Sequence, residues 1–402
     1  VLELLRTRTF VVPWLGQFVS GIGDSAFLVV LVVALAQQSA GLVGLGMAAV
    51  SLGAVLSLLA AGFVLDRLSD RTIVIGCDVA RFGAALVVWL GLGQSNFVMV
   101  VIASGAYGLG QGLYRPSYSA LVMELAPDGM LRVANKLRSL GSRSAGLLGA
   151  PLGGAISGLG EPRAGILFVS ATCLLSVATL VGVRVSVRQG KTDEPVWALA
   201  TAGVRHVFAH PWQAAWIAQG AIQVSTVIGL VYVATATLLA NDSTAFGVVI
   251  GAGAAGALAG SVAIPEIKDR SRGRVAVGLV LVQYVEIIAL AAGASWVVLA
   301  VASLINGYAL SWFAVYWVAA LQENTEPSAI GRVLAVDALG NQVLSPFGLG
   351  FAGFLLAWLG VTDSMIFAGI LLAVSVIPVF LVPAAVRMGY SSRGDAVVSD
   401  ES

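Results

Sequence analysis

Two carboxylic acids interrupt long apolar runs: Asp24 in QFVSGIGDSAFLVVLVV and Glu286 in VLVQYVEIIALAAG. Keeping an Asp charged at the centre of a membrane helix costs roughly 2.5–3.5 kcal/mol. A carboxyl group there either faces a polar interior or takes up a proton. Its natural chemistry is reversible protonation, with the proton received from one side of an apolar barrier and released to the other. Asp24 lies near the midpoint of its run, with long uncharged stretches on both sides, and is the leading proton carrier. The bland alternative is a structural carboxylate held by the hydroxyls of Ser20 or Ser25. Glu286 is the second candidate, with Gln283 and Tyr284 close enough in sequence to satisfy it.

The elements that hold these groups must live in lipid. The chain has 402 residues, 58% of them hydrophobic and 11% charged, with a mean hydropathy of +0.94. Soluble domains carry about 25% charged residues, so the expected fold class is an all-α membrane protein. Cys77 and Cys173 both fall in apolar runs, which argues against a disulfide framework or a thiolate metal site. His206 and His210 read as solvent-facing loop residues. The first apolar run is too long for a cleavable signal and lacks a small-residue cleavage site. No nucleophile–base or paired-carboxylate cluster is evident, so no enzyme activity, cofactor or metal is expected.

Windows of about 20 apolar residues mark twelve spans: 10–36, 41–63, 72–92, 96–122, 139–159, 164–184, 212–240, 244–265, 275–293, 295–321, 331–359 and 363–386. They imply a first six-helix bundle over 1–184 and a central loop over 185–211, part of it a short amphipathic helix. A second bundle follows over 212–386, then a tail over 387–402. Basic residues cluster in alternate loops, and Arg163 alone falls on the other side. The positive-inside rule then places both termini in the cytoplasm. Three lysines against nineteen arginines, with heavy use of Ala, Gly and Val, point to a high-GC bacterial genome, and an inner, energised membrane fits the positive-inside pattern.

The halves echo each other. DRLSDRTIV from Asp66 and DRSRGRVAV from Asp269 share Asp, Arg, Arg and Val at identical spacing, 203 residues apart, each between the second and third span of its half. Such repeats mark two-bundle transporters with a site at the interface. Here the sequence resembles the major facilitator superfamily, whose loop motif G-x-x-x-D-R-x-G-R-R/K is matched by Gly62, Asp66, Arg67 and Arg71. It departs from that motif at Ser69 and Asp70. WLGQFVSGIGDSAF, IGCDVARF, LYRPSYSALVMELAP, RVANKLRSLGS and LQENTEPSAIGRVLAV are similar to the macrolide-efflux-like and enterobactin-exporter-like branch of drug:proton antiporters.

The resemblance implies a charge cluster at the cytoplasmic junction of the bundles. Its members would be Gly62, Asp66, Arg67, Arg71, Asp78 and Arg81 in the first half, and Asp269, Arg270, Arg274 and Asp337 in the second. Asp78 and Arg81 are three apart and can pair on one helical face. Asp66 would face the positive N-terminus of helix eleven. Helix nine, which carries Glu286, is usually peripheral in this superfamily.

A mostly apolar cavity with few polar points would draw on Gln17, Arg115, Gln219, Gln223, Asn306, Tyr308, Trp312, Asn341 and Gln342. Arg115 could pair with Asp24 if the two lie at similar depth. Trp312, Phe313, Tyr316 and Trp317 give helix ten an aromatic face that could line the cavity. Gly146, Gly149, Pro151, Gly153 and Gly154 form a small-residue strip for close helix packing on helix five, a partial match to the exporters' longer Gly-Pro motif.

The expected activity is proton-coupled efflux of amphipathic small molecules by alternating access. Export of one dedicated metabolite, such as a siderophore or self-made antibiotic, is the runner-up, ahead of a transport-dead sensor. The expected partners are the bilayer, protons and substrate, without nucleic acid, and the expected functional unit is a monomer.

Overall fold

The computed structural model describes residues 4, 7–61, 64, 67–127, 129–183, 196–263, 271–326 and 329–388, with backbone only for 196–202 and 335. Among these residues every regular element is helical. The first half comprises α1 (Arg8–Ala36), α2 (Ala40–Leu59), α3 (Asp70–Gly93), α4 (Phe97–Leu125), α5 (Leu131–Leu159) and α6 (Pro162–Leu180). The second begins with α7 (Pro211–Leu238), α8 (Ser243–Val262), α9 (Arg272–Ala291) and α10 (Trp296–Glu323). Two further helical segments follow, Ile330–Val343 and Ser345–Leu381. The second breaks at Gly360, whose φ of 75° and ψ of −178° suit a residue without Cβ. The part before the break is α11 and the part after it α12. The expected twelve-helix membrane fold is therefore the observed one.

Local sequence sets the helix starts. Ser39, Ser69, Asn96 and Asp242 each accept a backbone N–H from three residues ahead, at 2.9–3.2 Å, and so cap α2, α3, α4 and α8. Pro162 and Pro211 open α6 and α7, where a missing N–H does no harm. Ser69 and Asp70, the two departures from the loop motif, thus have a local reason. Ser69 is the cap of α3, and Asp70 places a carboxylate in its first turn, where the helix dipole favours it.

Between the halves, an unlabelled connecting helix (Val196–Ala209) runs against the start of α11, with Gly203 close to the Arg332 carbonyl. The histidines are not loop residues facing solvent. They close this helix half-buried, with their rings stacked at 4.3 Å. Burial, then the charge of His210, holds the His206 imidazole below its ordinary range.

The halves meet along two seams, α5 on α8 and α2 on α11. Both are tightest at the face opposite the N-terminus. A Cβ on Gly154 would stand 2.4 Å from the Ser243 carbonyl oxygen and 2.9 Å from Gly247 Cα; one on Gly44 would stand 2.6 Å from Gly353 Cα. Only backbone fits there, so these glycines permit the halves to close on that face. Gly149 and Gly153 do the same for α5 on α1, at 2.3 Å from the Ile22 carbonyl oxygen and 2.9 Å from Ala26 Cα, and Pro151 packs on Gly251. Gly146 makes no such approach, its nearest neighbour being Ser25 Oγ at 4.0 Å.

Gly154→Leu should disfavour this arrangement by about 1–3 kcal/mol, the usual cost of overpacking. Spin labels on α5 and α8 at the face opposite the N-terminus should report a longer distance in the variant. An unchanged distance distribution would show that the seam does not govern closure.

Candidate functional site

Asp24 and Arg81 each lie twelve residues before the last residue of their helix, Ala36 in α1 and Gly93 in α3. At about 1.5 Å per residue both sit about 18 Å from that face, in the middle of a hydrocarbon core about 30 Å thick. They pair directly, Arg81 Nη1 to Asp24 Oδ2, while Arg81 Nη2 binds Asp78 Oδ1 one turn back on α3. One guanidinium thus bridges two carboxylates.

The two carboxylates differ in their surroundings. Asp78 is fully buried and well supplied with donors. Ser20 donates at 3.0 Å, Ser176 at 2.6 Å and Gln17 at 3.5 Å, in addition to Arg81. Gln17 also donates to the Ser176 hydroxyl at 2.6 Å. Asp24 has one further donor, the Tyr107 hydroxyl at 2.7 Å on Oδ1, and its side chain is 17% exposed. The Tyr107 ring is buried against Phe27 at 3.7 Å between centroids, which fixes the direction of its hydroxyl. The Tyr114 ring lies over Arg81, 4.6 Å from Cζ to centroid, an attractive cation–π arrangement.

Asp24 opens onto a cavity of about 490 Å³ between α1, α4 and α5, lined by Trp14, Gln17, Phe18, Gln111, Tyr114, Arg115, Tyr118, Arg138 and Ser142 among others. Asp24 is the one carboxylate in that lining. The cavity extends from mid-depth toward the face that carries the N-terminus, away from the glycine seams.

Several expected site residues lie elsewhere. Asp24 is held by Arg81 and Tyr107, not by Ser20 or Ser25, and it does not pair with Arg115. Asp78 and Arg81 do pair on one face, but inside the first bundle and not at the loop. Arg71 binds the Leu180 and Val181 carbonyls at 2.8 and 2.6 Å, closing the C-terminus of α6. Arg67 and Arg274 are exposed. Asp337 lies within hydrogen-bonding reach of Trp317 and Asn341. Gly62, Asp66, Asp269 and Arg270 fall outside the described residues.

Of the cavity candidates, Gln17 and Arg115 line the cavity. Gln219 and Gln223 instead form a buried ladder with Gln283, at 2.9 and 2.7 Å. Asn306 donates to Glu286 at 2.7 Å, and Ser303 is also in reach of that carboxylate. Gln342 is exposed. Trp312 stacks on Tyr308 at 4.9 Å. The aromatic face of α10 is core: Phe313 and Trp317 pack on Trp216, and Trp317 also on Trp212. Tryptophans on α7 cover it, a pairing that the periodicity of one helix does not reveal.

Sequence reading passed over Tyr107, Tyr114, Ser176 and the bridging role of Arg81. The usable signal was depth. Asp24 and Arg81 are opposite charges at the same distance from the same face, which is where a buried pair must form.

The sequence profile of the Major Facilitator Superfamily matches residues 13–291. The chain belongs to the Major Facilitator Superfamily. Solved members share its fold at low identity. The nucleoside transporter NupG is 14% identical with a TM-score of 0.72, covering 95% of this chain and 100% of its own. A bacterial homologue of the iron transporter ferroportin, in an inward-facing state, is 17% identical with a TM-score of 0.71, covering 97% and 100%. A D-xylose–proton symporter is 17% identical with a TM-score of 0.70, covering 92% and 96%. No curated protein sequence matches the chain. Identities this low speak for the superfamily's fold alone; the Arg81 cluster has to be interpreted on its own geometry.

Asp78→Asn leaves Arg81 with one partner in an apolar interior, and breaking a fully buried pair costs about 3–5 kcal/mol. Asp24→Asn, open to the cavity, should cost much less. Cys77 and Cys173 are free and buried, so a thiol-reactive dye added during a thermal melt reads out both variants. Equal melting temperatures would contradict this ranking.

Proposed function

We propose that this transporter couples proton movement to substrate efflux, with Asp24 as the proton-exchanging group. The observation that carries the reading is the charge balance of the cluster. Two carboxylates face one guanidinium, so the ionised cluster holds one surplus negative charge, and Asp24 is where that surplus reaches the cavity. In an apolar interior the surplus calls for neutralisation. A proton on Asp24 does this, and so does a cationic group of a substrate lodged beside it.

The two are alternatives, because either one satisfies the cluster. Substrate binding then favours proton release and protonation favours substrate release, which is the reciprocal linkage that exchange requires. Asp78, saturated with donors, keeps Arg81 in place throughout. When Asp24 is protonated its hold on Arg81 weakens, and Asp78 remains as the counter-charge. The Tyr107 hydroxyl keeps the Asp24 carboxyl oriented in both states.

Orientation follows from the distribution of basic residues. With the N-terminus on the cytoplasmic side, the cavity faces the cytoplasm and the glycine seams close the outside, which in an exporter is the state that loads substrate. An inward proton gradient across an inner bacterial membrane drives the return. Amphipathic small molecules fit a cavity that sets the rings of Trp14, Phe18, Tyr114 and Tyr118 beside polar groups such as Gln17, Gln111 and Ser142.

In energised cells, wild type should lower the accumulation of dyes and macrolides several-fold, and an uncoupler should erase the difference. Asp24→Asn at matched expression should accumulate as much as cells without the protein. Undiminished efflux by Asp24→Asn would move the coupling elsewhere, with Glu286 next in line.

A further inference from the structure

Charge in the cavity is separated along its length. Asp24 lies at one end, about 18 Å from the outer face. Arg115 follows eighteen residues after Phe97, the first of α4, and Arg138 precedes Leu159, the last of α5, by twenty-one. At about 1.5 Å per residue, their backbones lie roughly 9–13 Å beyond Asp24 toward the N-terminal face. Both arginines line the cavity, and no carboxylate among the described residues pairs with either. Arg138 Nε is buried without a hydrogen-bond partner, which leaves a desolvated donor in want of an acceptor.

Between these poles four aromatic rings share the walls with Gln17, Gln111 and Ser142. Trp14 and Phe18 stack along α1 at 5.9 Å, and Tyr114 and Tyr118 along α4 at 5.4 Å. The Trp14 indole donates to the Leu137 carbonyl at 3.2 Å, so the ring is fixed beside the turn that carries Arg138.

We propose that the cavity takes an amphipathic zwitterion with a flat aromatic body, its cationic group at Asp24 and its anionic group at Arg115 and Arg138. This rests on Asp24 being the point that proton and substrate share. A purely cationic substrate would satisfy Asp24 and leave both arginines unanswered. A purely anionic one would leave the surplus charge at Asp24 uncompensated and be repelled by it. A simple amino acid carries its two charges too close together to reach both ends. The volume of about 490 Å³ falls within the roughly 300–1,000 Å³ typical of small-molecule sites.

The test is equilibrium binding to the purified full chain at neutral pH, read by fluorescence anisotropy, with three probes on one skeleton. Ciprofloxacin carries a piperazinium and a carboxylate at opposite ends of a flat ring system; its ethyl ester keeps only the cation, and its N-acetyl derivative only the anion. Ciprofloxacin should bind about tenfold more tightly than either derivative, the effect of one charge-assisted contact. Arg115→Gln and Arg138→Gln should each weaken ciprofloxacin and the N-acetyl derivative by about tenfold and leave the ester unchanged. Asp24→Asn should weaken ciprofloxacin and the ester and spare the N-acetyl derivative. A misfolded variant would lose all three, so the spared probe reports folding. The proposal is overturned if wild type does not bind ciprofloxacin, if the ester binds as tightly, or if the arginine variants weaken every probe alike. Binding needs no gradient, so the crossed pattern with proton-independent transport would sink the coupling mechanism and leave the zwitterion site standing.

Discussion

A guanidinium with no water around it must be neutralised, and in this protein that requirement falls on Arg81, fully buried at mid-membrane depth. Much of the first bundle is arranged to meet it. α3 supplies Asp78, and α1 supplies Asp24 along with Ser20 and Gln17. α6 brings Ser176 to Asp78, and α4 brings Tyr107 to Asp24 and the Tyr114 ring over the guanidinium. Four helices therefore converge on one charge. Because two carboxylates answer it, the neutral state of the cluster needs one further positive charge from outside. A structural pair would need none, and the proposed coupling role rests on that difference.

The second half repeats the geometry without the charge. Gln223 lies 203 residues after Ser20, the same offset that relates the two loop motifs. Where Ser20 reaches across to Asp78 on α3, Gln223 reaches across to Gln283 on α9. Amide links amide there, so nothing in that ladder titrates in the working range. Glu286 is held by Asn306 and Ser303 between α9 and α10, away from the described cavity. One half supplies the charged cluster, and the other offers a neutral counterpart packed against it along the glycine seams.

The spans were legible from sequence because a lipid solvent leaves few alternatives to long apolar helices. Asp24 was legible for the same reason: a carboxylate at that depth has to be explained. Arg81 was visible as a residue and misread as a role. Its spacing from Asp78 showed that the two could pair, but helical spacing says nothing about which neighbouring helix a face meets. The nearby loop motif drew both residues toward the gate. The aromatic face of α10 failed similarly, since its partners Trp212 and Trp216 lie about a hundred residues earlier in the chain. The position of the cavity depends on how α1, α4 and α5 pack, which no single window of sequence contains.

On this proposal the surplus charge of the Arg81 cluster is carried by Asp24 and removed by a proton. Infrared difference spectroscopy of the purified protein across a pH titration reads it directly, because a carboxylic acid C=O stretch is present only in the protonated form. On acidification one component of that stretch, beyond those of the exposed carboxyls, should appear, be lost in Asp24→Asn and persist in Glu286→Gln. A component that survives Asp24→Asn and disappears in Glu286→Gln would instead move the proton to the second half of the molecule.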